Sequence, residues 1–167
     1  MPAVLPGRFT AQIDEPFVVF LIGMRINKLL APHKWFPVFM QMGSMLSELQ
    51  RESERGMMSS RLYWSGRVLL LVQYWRTFEQ LETYARRPQE QHVSAWQRFN
   101  QKLAKSGVVG VFHETYISEP GKFEVVYSDM PLFGLAKATQ HIPAVGRRET
   151  ARRRLGGENE PAVPERA

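Results

Sequence analysis

The stretch Phe17–Ile26, FVVFLIGMRI, decides the fold class. All of its side chains except Gly23 and Arg25 are apolar, and Val, Ile and Phe predominate. Successive side chains of a strand point to opposite faces, so apolar residues at both odd and even positions predict burial on both faces. We therefore expect a central strand of a sheet here.

The segments after this strand alternate between helical and strand periodicity. They predict a helix over residues 35–55, a hairpin over 57–75 that turns at Ser65-Gly66, a short helix from Thr77, a longer helix over 88–107, and strands over 108–117 and 123–127. The order strand, helix, strand, strand, helix, strand is that of the ferredoxin-like βαββαβ sheet, an α+β fold with helices on one face.

The apolar character of both faces of residues 17–26 also bears on assembly. Helices cover only one face of such a sheet, so the other apolar face must be buried by something else. Two sheets packed face to face would bury both. The sequence therefore predicts a homodimer that forms a dimeric α/β barrel.

Composition divides the chain into three parts. Residues 1–16 contain several prolines and little periodicity, and we expect an extended N-terminal arm. Residues 17–140 are expected to form the ferredoxin-like domain. Residues 141–167 are charged and contain Gly156-Gly157, which predicts a disordered basic tail.

The overall composition excludes several classes of function. The chain has 167 residues, a formal net charge of +6 and no cysteine, so disulfide frameworks and zinc-thiolate sites are excluded. No apolar run is long enough to span a bilayer and no signal peptide is evident, so we expect a cytoplasmic protein without membrane insertion. The basic tail lacks any nucleic-acid-binding motif, so nucleic acid is not an expected partner.

Histidines are the candidate chemical groups, since no nucleotide-binding or serine-hydrolase motif occurs. His92 shares an apolar helical face with Trp96, where an imidazole can ligate a haem iron or serve as a half-buried structural residue. His113 lies on a predicted strand with Val109 and Val111 on the same face. It can act as an acid/base group in an apolar pocket or as a cross-strand packing residue.

Two polar residues lie at the end of the first strand. Arg25 and Asn27 can line the rim of a site and fix a carboxylate or polarise bound oxygen. The alternative is a solvated sheet rim. Tyr84 and Trp96 suit the core or the dimer interface first and a pocket second.

A resemblance to known families extends this interpretation. Residues 74–96, YWRTFEQLETYARRPQEQHVSAW, resemble the core of antibiotic-biosynthesis-monooxygenase-like proteins. The wider pattern from IGMRINKL through HETY to DMPLFGL is similar, over roughly residues 14–137, to a family grouped with the fumagillin-pathway monooxygenase. This resemblance implies a dimeric α/β barrel and oxygenation of a small organic molecule.

A second stretch, FHETYISEPGKFEVVYSDMPLFGL, resembles the end of the haem-containing aldoxime dehydratases. That resemblance implies His92 as haem ligand and His113 as the distal acid/base group. Haem-degrading proteins of the same superfamily pair the ligand with an asparagine, as at Asn27, and a tryptophan where this chain has Tyr84. The tyrosine makes haem degradation the poorer match.

These patterns support one leading function and two alternatives. The leading interpretation is a monooxygenase that uses haem on His92, beside Trp96 and Tyr84, or no cofactor at all, with His113, Arg25 and Asn27 as catalytic residues. The alternatives are a haem-dependent aldoxime dehydratase-like lyase and a non-catalytic haem or ligand carrier.

Overall fold

The computed structural model describes residues 2–40, 56–86 and 106–157. They belong to two compact units, one made of Val18–Tyr116 and the other of Met1–Phe17 with Ile117–Ala167. The strands are β1 Leu5–Gln12, β2 Phe17–Ile26, β3 Met57–Ser65, β4 Val68–Trp75, β5 Val109–Ser118, β6 Tyr127–Met130 and β7 Gln140–Pro143. The helical segments are α1 over 32–40, α2 Phe78–Arg86, α3 Gly134–Ala138, a 3-10 turn Gly146–Arg148 and α4 Ala151–Arg154.

The Val18–Tyr116 unit contains a four-stranded sheet in the order β3-β4-β2-β5. β2 runs antiparallel to β4, with Val18 opposite Trp75 and Arg25 opposite Val68. The end of β2 meets the start of β5, because the Asn27 amide donates to the Val108 carbonyl at 2.8 Å. This is the ferredoxin-like strand order, so the predicted fold class is confirmed, and so are the central strand and the hairpin.

One face of this sheet packs against the described helices. Met24, Ile26 and Leu69 form a buried cluster with Val38 of α1. Val18, Met57 and Trp75 form a second cluster with Leu81 and Tyr84 of α2. Even-numbered residues of β2 and odd-numbered residues of β4 thus share what we call the helix-facing side.

Local sequence signals position α2. The Thr77 hydroxyl accepts a hydrogen bond from the Gln80 backbone amide at 3.2 Å, which satisfies one of the unpaired amides of the first helical turn. The helix predicted to start at Thr77 is therefore capped by the Thr77 hydroxyl. The longer helix predicted over 88–107, and the second half of the helix predicted over 35–55, lie outside the described residues.

The second unit has a three-stranded antiparallel sheet in the order β6-β1-β7. In its centre Phe9 stacks on His141 with ring centroids 4.2 Å apart. The predicted extended arm thus contains the middle strand of a sheet. The predicted strand over 123–127 differs too, since β6 begins only at Tyr127.

The chain beyond residue 140, expected as a disordered tail, is folded as far as Gly157. It contributes β7, the 3-10 turn and α4. Arg154, only 6% exposed, forms an ion pair with Glu124 and donates to the Arg148 and Glu149 carbonyls at 2.6 and 2.8 Å. The many arginines of this segment suggested a solvated tail, since arginine is usually exposed. A guanidinium can nevertheless be buried when its N–H donors are all paired.

None of the helices within the described ranges is long and apolar enough to cross a lipid bilayer.

Candidate functional site

His113 lies on the helix-facing side of β5. Its ring centroid is 5.9 Å from that of Phe20, which packs against the Val18–Trp75–Tyr84 cluster. Val109 lies four residues before His113 on β5, so it shares the same face, and it is buried with Met24 on that side. The alternation predicted for this strand is therefore present, and the imidazole is exposed beside an aromatic ring.

No hydrogen bond or ion pair to the His113 side chain occurs among the described residues. An imidazole has one nitrogen that donates and one that accepts in its neutral form. Both nitrogens of His113 are therefore available to a bound molecule, which a proton-transfer group requires.

Arg25 and Asn27 come together but lie on the opposite face. The Arg25 guanidinium donates to the Asn27 side-chain oxygen. The Asn27 amide nitrogen lies 3.6 Å from the position of a Cβ on Gly110, which alternates with His113 along β5. The two residues thus form one polar pair at the sheet rim, and the structure does not bring them to His113.

The other predicted site residues are less informative. Tyr84 is buried, with its ring 5.6 Å from that of Trp75, in the core position that the sequence favours first. His92 and Trp96 fall outside the described residues.

A polar row that sequence reasoning missed crosses the helix-facing side next to His113. Gln73 is 3% exposed, and its side-chain oxygen accepts from the Trp75 indole N–H at 2.8 Å. Ser60 on β3 and Phe20 on β2 stand opposite Gln73 on its two sides. The Ser60 hydroxyl is buried and has no hydrogen-bond partner. Because such a group is costly to leave unpaired, its oxygen is a candidate hydrogen-bond partner for a bound polar atom.

One signal in the sequence points to this row. Gln73 is the only amide side chain in the otherwise aliphatic and aromatic run VLLLVQYW of β4. An amide at a buried position of an apolar strand needs a partner. The alignment of Ser60 with it depends on a β-bulge between Met57 and Ser59, which no residue pattern indicates.

The opposite face carries a second polar pair. The Tyr116 hydroxyl donates to a Glu114 carboxylate oxygen at 2.5 Å. This hydrogen bond, and then the negative charge of Glu114, raise the pKa of Tyr116. Tyr116 therefore stays protonated at neutral pH and is not an acid/base group there.

Metal coordination by side chains alone finds no support in residues 2–40, 56–86 and 106–157. No group of three or more His, Cys, Asp or Glu residues is placed there to hold an ion. What the helix-facing side offers is one free imidazole, one amide and one unpartnered hydroxyl around an aromatic ring. This arrangement suits an apolar organic molecule with a polar substituent.

Comparisons with known proteins identify the family of this chain. The family model described as "Monooxygenase af470-like" matches residues 17–135. Monooxygenase af470 of Aspergillus fumigatus (strain ATCC MYA-4609 / CBS 101355 / FGSC A1100 / Af293) is 30% identical over 147 residues, a match that covers 76% of this chain and 52% of the relative. The chain thus spans about half the length of the curated relative that it matches.

Solved structures share the fold. Aldoxime dehydratase (OxdRE), crystallised with butyraldoxime, superimposes with a TM-score of 0.61 at 14% identity, over 93% of this chain and 44% of that chain. Another aldoxime dehydratase superimposes with a TM-score of 0.51 at 14% identity, over 82% of this chain and 44% of its own. At this level of identity the likeness concerns the fold alone.

Proposed function

Because this chain belongs to the monooxygenase af470-like family, we propose that it is a small-molecule monooxygenase whose substrate binds on the helix-facing side of the four-stranded sheet. The observation that carries the proposal is the free imidazole of His113 beside Phe20 and the Ser60–Gln73 pair. All four residues lie within the segment that the family model matches.

Each residue has a distinct part in the proposed reaction. Phe20 supplies an aromatic surface for the apolar body of the substrate. Ser60 and Gln73 orient a hydroxyl or carbonyl group of the substrate by hydrogen bonding. One nitrogen of His113 accepts a proton from the substrate, which leaves the substrate more electron-rich and more reactive towards oxygen.

A haem is the proposed cofactor; His92 would hold its iron, and Trp96 and Tyr84 would be the cofactor-binding residues. A haem needs one imidazole from the protein rather than a cluster of ligands, and the proposed ligand, His92, lies outside the described residues. When bound, haem supplies the activation of oxygen. His113 then serves as the proton-transfer group, as it does in a reaction without cofactor.

The absorption spectrum of the protein expressed with a haem supply tests this proposal. We expect a Soret band at about 400 nm. His92→Ala should abolish the band, while His113→Ala should keep the band and lose oxygen-dependent product formation. A colourless protein that still oxygenates an electron-rich phenol, and loses this activity in His113→Ala, would rule out haem as the cofactor and would support a monooxygenase without cofactor.

Other products would assign other functions. Conversion of an aldoxime to a nitrile by the haem-loaded protein, without oxygen uptake, would make it a lyase. A haem spectrum with no turnover of oxygen, peroxide or oxime would make it a carrier.

We also propose that the protein is a homodimer, packed through the sheet face opposite the helix-facing side. Phe112 and Tyr116 are exposed on this face, where Phe112 lies over Gly23. Two copies packed through this face would form the dimeric barrel and would together approach the length of an aldoxime dehydratase, of which one copy covers 44%. Light scattering should report a dimer, and Phe112→Glu should shift it to a monomer.

A further inference from the structure

An exposed apolar surface occupies one edge of the Val18–Tyr116 unit. Leu30 is 100% exposed and Trp64 is 61% exposed, which is unusual for such large apolar side chains. We call this the α1–β3 surface, and its exposed side chains are Leu29, Leu30, Phe36, Met40, Leu62 and Trp64.

The surface is continuous across three segments of the chain. The Phe36 ring is 6.0 Å from that of Phe39, and the Phe39 ring is 5.7 Å from that of Trp64. The Trp35 indole N–H donates to the Leu29 carbonyl at 3.2 Å, which ties the loop before α1 to the helix. Aromatic residues of α1 thus connect the Leu29 loop to the end of β3.

The aromatic rings are held in place rather than loosely exposed. Phe39 packs against the buried Met24–Leu69 cluster. The Trp64 indole N–H donates to the Gly66 carbonyl at 2.9 Å. The indole N–H groups of this surface are already hydrogen-bonded to the backbone. A partner therefore does not have to supply acceptors for them.

The described charges next to this surface are positive. Lys28, Lys34 and Arg67 are exposed in the same segments. No Asp or Glu occurs between residues 16 and 40 or between residues 56 and 78. The positive potential complements an anionic partner.

We propose that the α1–β3 surface docks on an anionic phospholipid bilayer. Exposed Leu, Phe, Met and Trp side chains enter the boundary between headgroups and acyl chains, and the surrounding Lys and Arg side chains pair with lipid phosphates. Two weak contributions of this kind together give reversible membrane binding. The protein lies on the bilayer and does not cross it.

The inference is independent of the chemistry proposed for His113. Lipid is favoured over a protein partner because Leu30 is fully exposed in a loop that lies between Lys28 and Lys34. A protruding apolar loop flanked by cations matches the headgroup boundary of a membrane.

Co-sedimentation with sucrose-loaded vesicles tests the proposal. The full chain should sediment with vesicles of phosphatidylcholine and phosphatidylserine, and much less with phosphatidylcholine alone. Leu30→Glu should weaken the partition coefficient by about tenfold, because it removes one buried apolar side chain and adds a repelled charge. Lys34→Glu should weaken binding to the mixed vesicles by about tenfold as well, because it exchanges one attractive charge for a repulsive one.

Matched variants in the other unit provide the controls. Val145 is an exposed apolar residue and Lys137 an exposed lysine, so Val145→Glu and Lys137→Glu make the same chemical changes elsewhere. Both should bind vesicles like the unmodified protein. Unchanged circular dichroism of all four variants confirms that folding is not the cause of any loss.

Three results would overturn the proposal. The first is no sedimentation with the mixed vesicles. The second is a loss with Val145→Glu that equals or exceeds the loss with Leu30→Glu, which would place binding at the C-terminal arginines. The third is concentration-dependent self-association that Leu30→Glu abolishes while vesicle binding persists, which would make the surface a contact for a second copy.

Discussion

Replacement of Arg154 by leucine tests whether the C-terminal segment is part of the folded protein. The Arg154 guanidinium donates through Nε to a Glu124 carboxylate oxygen at 2.7 Å, and through Nη1 to two carbonyls of the preceding turn. Its side chain is 6% exposed and that of Glu124 is 27% exposed. Leucine fills part of the volume and satisfies none of these acceptors.

The contacts of Arg154 determine how much stability the substitution should cost. Breaking a fully buried ion pair costs about 3–5 kcal/mol, because one charge stays buried without a partner. Glu124 retains partial access to water, which reduces the cost, while two carbonyls also lose a charged donor. We therefore expect Arg154→Leu to lower the free energy of unfolding by about 2–3 kcal/mol.

Urea denaturation measures the total loss, and hydrogen exchange read by mass spectrometry locates it. The amides of β6 and β7 should exchange faster in Arg154→Leu, since the β6-β1-β7 sheet belongs to the same unit as Arg154. Arg152→Leu is the matched control, because Arg152 is an exposed arginine of the same helix. Its effect should stay within about 0.5 kcal/mol.

A loss below about 1 kcal/mol for Arg154→Leu, or an equal loss for Arg152→Leu, would refute this reasoning. So would a truncation after residue 145 that leaves stability and exchange unchanged. That outcome is the one expected of a disordered tail, and the structure predicts the opposite.

Three further changes test local features. Gly23→Ala should lower the thermal midpoint and cost roughly 2 kcal/mol, because its Cβ would lie 2.5 Å from the Leu69 carbonyl oxygen; an unchanged midpoint would contradict that close approach. Thr77→Ala should cost about 1 kcal/mol through loss of the α2 cap and should speed amide exchange in the first turn of α2, whereas Thr77→Ser should not. Glu114→Gln should lower the pKa of Tyr116 towards its ordinary value, because the carboxylate no longer accepts from the neutral phenol or repels the phenolate. An ultraviolet difference titration against Tyr116→Phe measures that pKa, and an unchanged value would rule out the Glu114 contact.

Much of the fold could be predicted because its signals are local. The apolar run of β2, the Ser65-Gly66 turn and the cap at Thr77 each depend on residues within one or two elements. Strand alternation also predicted the face on which His113 lies relative to Val109. These features follow from backbone geometry of period two or 3.6, which a single segment already expresses.

The candidate site could be predicted only in part. The sequence suggested Arg25, Asn27 and His113 as catalytic residues of one site. In the sheet, Arg25 and Asn27 lie on one face and His113 lies on the other. Ser60 gains its importance only by standing opposite Gln73. Neither relation exists until the strands are aligned.

The amino-acid sequence by itself determined the α+β class, the order of the elements and the apolar character of the central sheet, because hydrophobic periodicity acts within each segment. Tertiary structure alone decided that Ser60 stands opposite Gln73, that Arg25 and Asn27 lie on the other face from His113, and that Arg154 pairs with Glu124 in the second unit. Residues far apart in the chain acquire partners only through strand register and burial, and a buried charge is stable only where a distant partner satisfies it.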